Sequence, residues 1–329
     1  MKSIQYYILG LLVHFGLFTS TALPEPVFTS FCTGLSRFCF LFFKGYRKRI
    51  AGNLRMAFGP ACDRKQLSGI RTAVATNIGL NVAETICSAT GNKDRVLSRI
   101  TLHGAENIDR ALAGGRGVIA VSAHMGNFML MSAKMIQQGY SFTMLVKESR
   151  HRFLADAIRV VQQKQGGSFI YLKPWRQALQ QILGCLKRNH IVCLLADENK
   201  RRSGTVVDFL NHPAPTAIGP AVLSLRSGAA LLPVFIVRDR NGMQHIYAEP
   251  HLELNLNGNR DQKTHAITDA YTRVIEKYVR DYPEQWFWFN NRWKKAKTRE
   301  NRDPVSPRIR KRRERHMSAS SSCQAGEQQ

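Results

Sequence analysis

Acidic residues are scarce. The 329-residue chain carries 23 Asp and Glu against 48 Lys and Arg, a formal net charge of +25. Such an excess points to acidic partners, and nucleic acid, an anionic lipid surface and an acidic carrier protein all fit it. The seven cysteines (Cys32, Cys39, Cys62, Cys87, Cys185, Cys193, Cys323) form no CxxC pair. Odd in number and scattered, they argue against a disulfide framework or a structural zinc site, and a reducing compartment is the simpler reading. No cluster of metal-ligating residues stands out, so neither a metal nor another cofactor is expected. No internal repeat is visible. The length suits one large domain or two small ones, enough to bury a sizeable core.

Charge is also missing from Ile4 to Leu23 if His14 is neutral. That stretch is about long enough to cross a bilayer as a helix, although Gln5, His14 and Thr19-Ser20-Thr21 weaken it. Pro24-Glu25-Pro26 ends it. A second apolar run, Val27 to Phe43, is interrupted only by Arg37 and leads into Lys44, Arg47, Lys48 and Arg49. A signal peptide is the rival reading, but cleavage would leave a membrane-seeking N-terminus. The expectation is an uncleaved anchor, spanning the bilayer or lying in its interface. The basic cluster puts the downstream domain on the cytoplasmic side.

From Arg49 the pattern becomes globular. Helices are expected near 50–58, from about Asp63 to Thr90, and from Ala105 to Ala113, with a short strand at Ile100–Leu102. Then strands and helices alternate. The strands are Val118–Ala123, Phe142–Val146, Phe169–Tyr171, Ile191–Ala196, Leu231–Val237 and Ile246–Ala248. The helices between them are Phe128–Gln138, Phe153–Gln165, Arg176–Arg188 and Gly219–Ser227. A last helix runs from about Lys263 to Asp281. This order implies an α/β fold, a mixed but largely parallel central sheet flanked by helices. The chain divides into three regions: a membrane anchor over 1–46, a globular domain over 47–296, and a basic, low-complexity tail over 297–329. The tail could bind nucleic acid or an anionic membrane. Beside a membrane-seeking N-terminus the membrane is favoured, and no nucleic acid is expected.

The most informative stretch is Val118-Ile119-Ala120-Val121-Ser122-Ala123-His124-Met125-Gly126-Asn127-Phe128. A buried strand ends in a histidine, the chain breaks, and a helix begins. In α/β folds that is a common place for chemistry, though a histidine satisfied by its own loop fits the pattern too.

Four blocks in order resemble the bacterial lipid A biosynthesis acyltransferase family, within the lysophospholipid acyltransferase superfamily. They are Arg49-Ile50-Ala51-Gly52-Asn53-Leu54-Arg55-Met56-Ala57-Phe58; His124-Met125-Gly126-Asn127-Phe128; Ala196-Asp197-Glu198-Asn199 with Val207 to Thr216, Gly219-Pro220-Ala221, Arg226 to Ala229 and Leu232 to Phe235; and Tyr282-Pro283-Glu284-Gln285-Trp286-Phe287-Trp288 closing in Arg292-Trp293-Lys294. The resemblance implies a glycerolipid-acyltransferase-like fold. It also implies acyl transfer from a thioester, on acyl carrier protein or coenzyme A, to a hydroxyl of a membrane lipid, most simply lipid A or a relative. The setting it implies is the cytoplasmic face of a bacterial inner membrane.

The chemistry such a transfer needs is present. A hydroxyl attacks poorly until a base takes its proton, and His124 suits that task. A carboxylate should orient the ring, and backbone N–H groups around Gly126-Asn127 could hold the oxyanion. Yet the family motif is His, four residues, then Asp or Glu, and here Met129 stands in the acid's place. Three readings are open. Another carboxylate replaces it, Glu198 first and Asp197 second; the transferred group differs, an aminoacyl group for example; or the protein binds lipid without turnover. Asn127, Lys147, Arg201, Arg202, Arg226 and Glu284 are the expected substrate contacts. Each has a plainer alternative as a loop, surface or capping residue.

Overall fold

A computed structural model describes residues 2–59, 62–200, 203–253 and 257–293. The basic tail expected over 297–329 and the pair Arg201-Arg202 lie outside the described residues. Seven strands form one sheet: β1 (Ile100–His103), β2 (Val118–Ser122), β3 (Phe142–Val146), β4 (Ser168–Tyr171), β5 (Ile191–Leu195), β8 (Ala230–Arg238) and β9 (Gln244–Ala248). Their order is β1-β9-β8-β2-β5-β3-β4. Every neighbouring pair is parallel except β8 and β9. The carboxyl ends of β2, β3, β4, β5 and β8 therefore share one edge.

Alternation along the strands builds two cores. Ile119, Val121 and Ala123 of the β2 segment, with Val192, Leu194 and Ala196 of the β5 segment, face one layer. Val118, Ala120, Ile191 and Cys193 face the other. The first layer is covered by α3 (Lys44–Phe58), α9 (Trp175–Lys187), α10 (Gly219–Ser227) and α11 (Arg260–Asp281). The second is covered by α2 (Glu25–Phe42), α5 (Lys93–Ser98), α6 (Ala105–Ala113) and α7 (Phe128–Gln137). α8 (Arg152–Gln165) packs beside α1 (Lys2–Ala22).

Helix α4 (Arg64–Cys87) joins the two layers. Its Val74 belongs to the first core, while Ala83, Ile86 and Cys87 belong to the second. It therefore passes over the edge where the parallel strands end. Asp63 and Gln66 start it with a reciprocal capping box.

A two-stranded hairpin, β6 (Gly204–Phe209) and β7 (His212–Ala217), lies outside the main sheet. Leu210 and Asn211 turn it with φ of 52° and 63°, the left-handed values that a tight two-residue hairpin turn requires.

The N-terminal helices do not stand away from the body. α1 packs on α8 and α4, and α2 packs on α4. A side chain at Gly10 would meet Phe153, and one at Gly79 would meet the backbone of Thr33. Among the described residues no single helix is long and apolar enough to cross a membrane; α2 and α3 reach that length only as a pair bent by 90°. Their outer faces are nonetheless apolar, with Phe18 72%, Phe42 66% and Leu41 61% exposed.

Candidate active site

His124 and Asp197 come from neighbouring parallel strands. In the register of β2 and β5, Ser122 is opposite Leu195. The ladder continues one step, with the Ala196 N–H donating to Ser122 O at 2.9 Å. Two residues beyond each strand, His124 and Asp197 are the next pair on the same side of the sheet. The His124 ring donates from Nδ1 to Asp197 Oδ1 at 2.7 Å. The His124 backbone N–H donates to Oδ2 at 3.1 Å, and the Trp286 indole donates to Oδ2 at 2.8 Å. Three donors thus hold one fully buried carboxylate. An ionised aspartate accepts only, so the proton between the pair sits on Nδ1 and leaves Nε2 with its lone pair.

Electrostatics reinforce this tautomer. Burial works against an imidazolium, but the charge and hydrogen bond of Asp197 outweigh it and hold the His124 pKa above its ordinary value. Burial alone would raise the Asp197 carboxyl. His124 and the Trp286 N–H instead keep it below the usual carboxylate range. Behind it lies Arg292, 1% exposed, whose guanidinium donates to Pro215 O at 2.8 Å and to Thr216 Oγ1 at 2.6 Å and lies over the Phe209 ring. Burial pushes Arg292 down to about 10, partly offset by Asp197.

The histidine loop is fixed from behind. Gly126 has φ +51°, and a Cβ there would sit 2.2 Å from Ile236 O, so only glycine fits. Its N–H donates to Gln285 O, and the Phe287 N–H donates to His124 O at 2.9 Å. Gln285 in turn bonds both backbone groups of Arg238. Arg238 forms a buried ion pair with Glu84 of α4, which also accepts from Asn127 and Gln244. Asn81 donates to Gly126 O at 2.7 Å. The ring of His124 meets Phe128 edge-on at 5.2 Å, and Phe287 lies 6.2 Å away. The result is a partly exposed imidazole between two phenylalanines, with its far nitrogen free to accept a proton.

A family model of the bacterial lipid A biosynthesis acyltransferases matches residues 1–295. The chain belongs to this family. Its similarity to curated relatives is modest and broad. It is 27% identical to the phosphatidylinositol mannoside acyltransferase of Mycobacterium tuberculosis H37Rv over 60% of this chain. That match covers 61% of the mycobacterial protein, a little under two thirds of its length. It is 26% identical to the lipid A biosynthesis palmitoleoyltransferase of Escherichia coli K12, over 83% of this chain and 86% of that one. The E. coli lauroyltransferase is 25% identical over 83% and 87%.

Within this family member the expected site residues part company. Asp197, the second choice on sequence, bonds the ring, and Glu198 does not take that place. The chain bends at Glu198, whose carboxylate accepts from Lys200 at 3.0 Å, and its charge adds to that of Asp197 in raising the His124 pKa. Met129 is half-buried in the first turn of α7. Asn127 is 1% exposed and bonds Asn81, Glu84 and Thr85, so it ties the loop to α4 and is not open to a substrate. Arg226 is at the end of α10 that leads into β8 beside the start of β2, the edge opposite His124. It shares a cleft there with Arg260 and Lys263. Lys147 comes directly after β3 and is exposed at the same edge as His124. The Glu284 carboxylate accepts from Gln285 at 3.3 Å, next to the loop. Arg201 and Arg202 fall outside the described residues. Among the described residues no group of three or more His, Cys, Asp or Glu is placed to hold a metal.

Sequence reading missed Trp286 as a polar partner, because alternation with Phe287 and Phe289 reads as packing. It also passed over the Glu84–Arg238 pair, whose members are 154 residues apart.

Proposed function

We propose that this protein transfers an acyl chain from a thioester to a hydroxyl of a membrane glycolipid, with His124 as general base and Asp197 as the carboxylate that orients it. One observation carries the reading: the Nδ1 of His124 is held by a buried aspartate while the side chain is 22% exposed and its other nitrogen has no hydrogen-bond partner among the described residues. The base takes the hydroxyl proton as the oxygen attacks the thioester carbonyl. Asp197 keeps the tautomer and stabilises the imidazolium that forms. The oxyanion is met by the N–H groups of Phe128 and Met129 at the start of α7, since that of Leu130 already donates to Asn127 O. The Gly126 N–H is already spent on Gln285. The proton then passes from His124 to the departing thiolate.

The lost acid at Met129 does not leave the ring without a carboxylate, which favours turnover over mere lipid binding. Acyl carrier protein is the proposed donor, since the chain is strongly basic and such a carrier is acidic. The exposed apolar faces of α1 and α2, flanked by Lys44, Arg47, Lys48 and Arg49, support seating on the cytoplasmic face of the inner membrane as an interfacial attachment. The test is transfer of a labelled acyl chain from acyl carrier protein to a glycolipid by the purified full chain. Wild type should transfer and His124→Ala should not; equal rates would refute the assignment.

A further inference from the structure

A second array of histidines and an aspartate lies on the β1 side of the sheet, and the proposed transfer makes no use of it. His103 ends the edge strand β1, and His245 is on β9 beside it. In their parallel register His103 is opposite Tyr247, two residues on from His245, so the three side chains share one face. His103 Nε2 and His245 Nδ1, 142 residues apart in sequence, come within 3.0 Å. Such a separation hides the pair from any reading of local spacing. On the far side of the His245 ring, Nε2 is 3.2 Å from Asp239 Oδ2.

Each member is held in place. Asp239 Oδ1 accepts from the backbone N–H groups of Asn241 and Met243, at 2.8 and 2.9 Å, which leaves Oδ2 for the histidine. The Tyr247 ring stacks on that of His103 at 4.9 Å, with 16° between the planes. His103 is exposed, so the array opens to solvent on that side. An ionised aspartate accepts only, so His245 carries its proton on Nε2 and turns the lone pair of Nδ1 toward His103. A metal-binding imidazole has this arrangement: one nitrogen is free and the other donates to a carboxylate that fixes the tautomer and raises the basicity. Neutral His103 has only to move its proton from Nε2 to Nδ1, through solvent, for two lone pairs to converge; no proton is released. Zinc–nitrogen bonds of about 2.0–2.1 Å at a tetrahedral angle put the two nitrogens about 3.3 Å apart, so the rings need part only slightly.

We propose that His103 and His245 bind a divalent ion of the zinc class, with Asp239 as the outer carboxylate and water in the remaining positions. Imidazole nitrogens select such an ion over Mg2+ or Ca2+, which take oxygen ligands. With two direct ligands the site does not need a third His, Cys, Asp or Glu. The ion joins the edge strand β1 to β9. The site stands apart from the acyl-transfer reading and does not depend on it.

The test is calorimetric titration of the full chain with zinc chloride at mildly alkaline pH, where unperturbed imidazoles are neutral. Wild type should bind one equivalent that His103→Gln with His245→Gln does not. Asp239→Asn should weaken that equivalent about tenfold or more. Excess magnesium chloride should not displace it. His212→Gln, which removes a histidine of the β6–β7 hairpin, should leave it unchanged. Zinc should also raise the melting temperature of wild type more than that of the double variant. His103→Gln alone, at an exposed ring, should weaken binding at least as much as Asp239→Asn, and it decides the question if the double variant does not fold. Absence of the equivalent from wild type, equal binding by the histidine variants, no loss in Asp239→Asn, an equal loss in His212→Gln, displacement by magnesium or equal thermal shifts overturns the site and leaves an ordinary hydrogen-bonded pair.

Discussion

Trp286 and Asp197, 89 residues apart in sequence, are joined by a 2.8 Å hydrogen bond from the indole N–H to the carboxylate. The same carboxylate orients His124, so Trp286 is a positioning residue acting through Asp197. Trp286→Phe keeps much of the ring and removes the donor. A hydrogen bond to a charged group contributes about 1.5–3 kcal/mol. Its loss should lower kcat roughly tenfold with little change in KM, and should raise the Asp197 pKa. The check is a pH–rate profile of the variant; a rate and profile matching wild type would make the indole mere packing.

The sign of the pH dependence is set by the pair. His124 titrates above its ordinary value of about 6.5, and its neutral form is the base. Transfer should therefore rise with pH through a midpoint above that value. In Asp197→Asn the charge is gone while burial remains, so the midpoint of the residual rate should move down. Stability runs the other way for the histidine. Its contribution is full below the unfolded value and is lost as pH rises through the folded one, whereas that of Asp197 is full above its unfolded value and is lost as pH falls through the folded one. The gap between thermal melts of wild type and His124→Ala should narrow toward the alkaline side, the part left being the neutral ring's hydrogen bond to Asp197.

Glu84 and Arg238 anchor the loop from behind, at 15% and 8% side-chain exposure. Removing one member of a buried pair strands the other, at a cost of about 3–5 kcal/mol. Glu84→Ala should lose stability of that order in urea unfolding. A loss under about 1 kcal/mol would mean that water satisfies Arg238.

The apolar faces of α1 and α2 are expected to meet lipid. Phe18→Glu with Phe42→Glu should abolish sedimentation with anionic vesicles while the melting temperature stays near wild type, because both side chains are mostly exposed. Undiminished sedimentation would contradict interfacial seating.

The seven sheet strands are legible in the sequence because each is a short apolar run between turns, and none lies far from its expected place. The β6–β7 hairpin is not legible, since Pro213 and Pro215 argue against a strand. They are tolerated in a two-stranded ribbon outside the main sheet. His124 is found from its place after a buried strand. Its partner needs the β2–β5 register, a non-local pairing absent from a one-dimensional pattern; with it, Asp197, two residues past β5, falls opposite His124, two residues past β2. Asn127 reads as polar and available because nothing nearby in sequence reveals α4. Arg226 belongs to a family block along the chain but sits at the edge of the sheet opposite His124 in space.

The most direct measurement compares acyl transfer by Asp197→Asn and Glu198→Gln under identical conditions. Loss of the ring's partner should cost at least about a hundredfold in kcat. Loss of the half-exposed carboxylate paired with Lys200 should cost under about tenfold. A larger loss from Glu198→Gln than from Asp197→Asn would contradict the His124–Asp197 assignment.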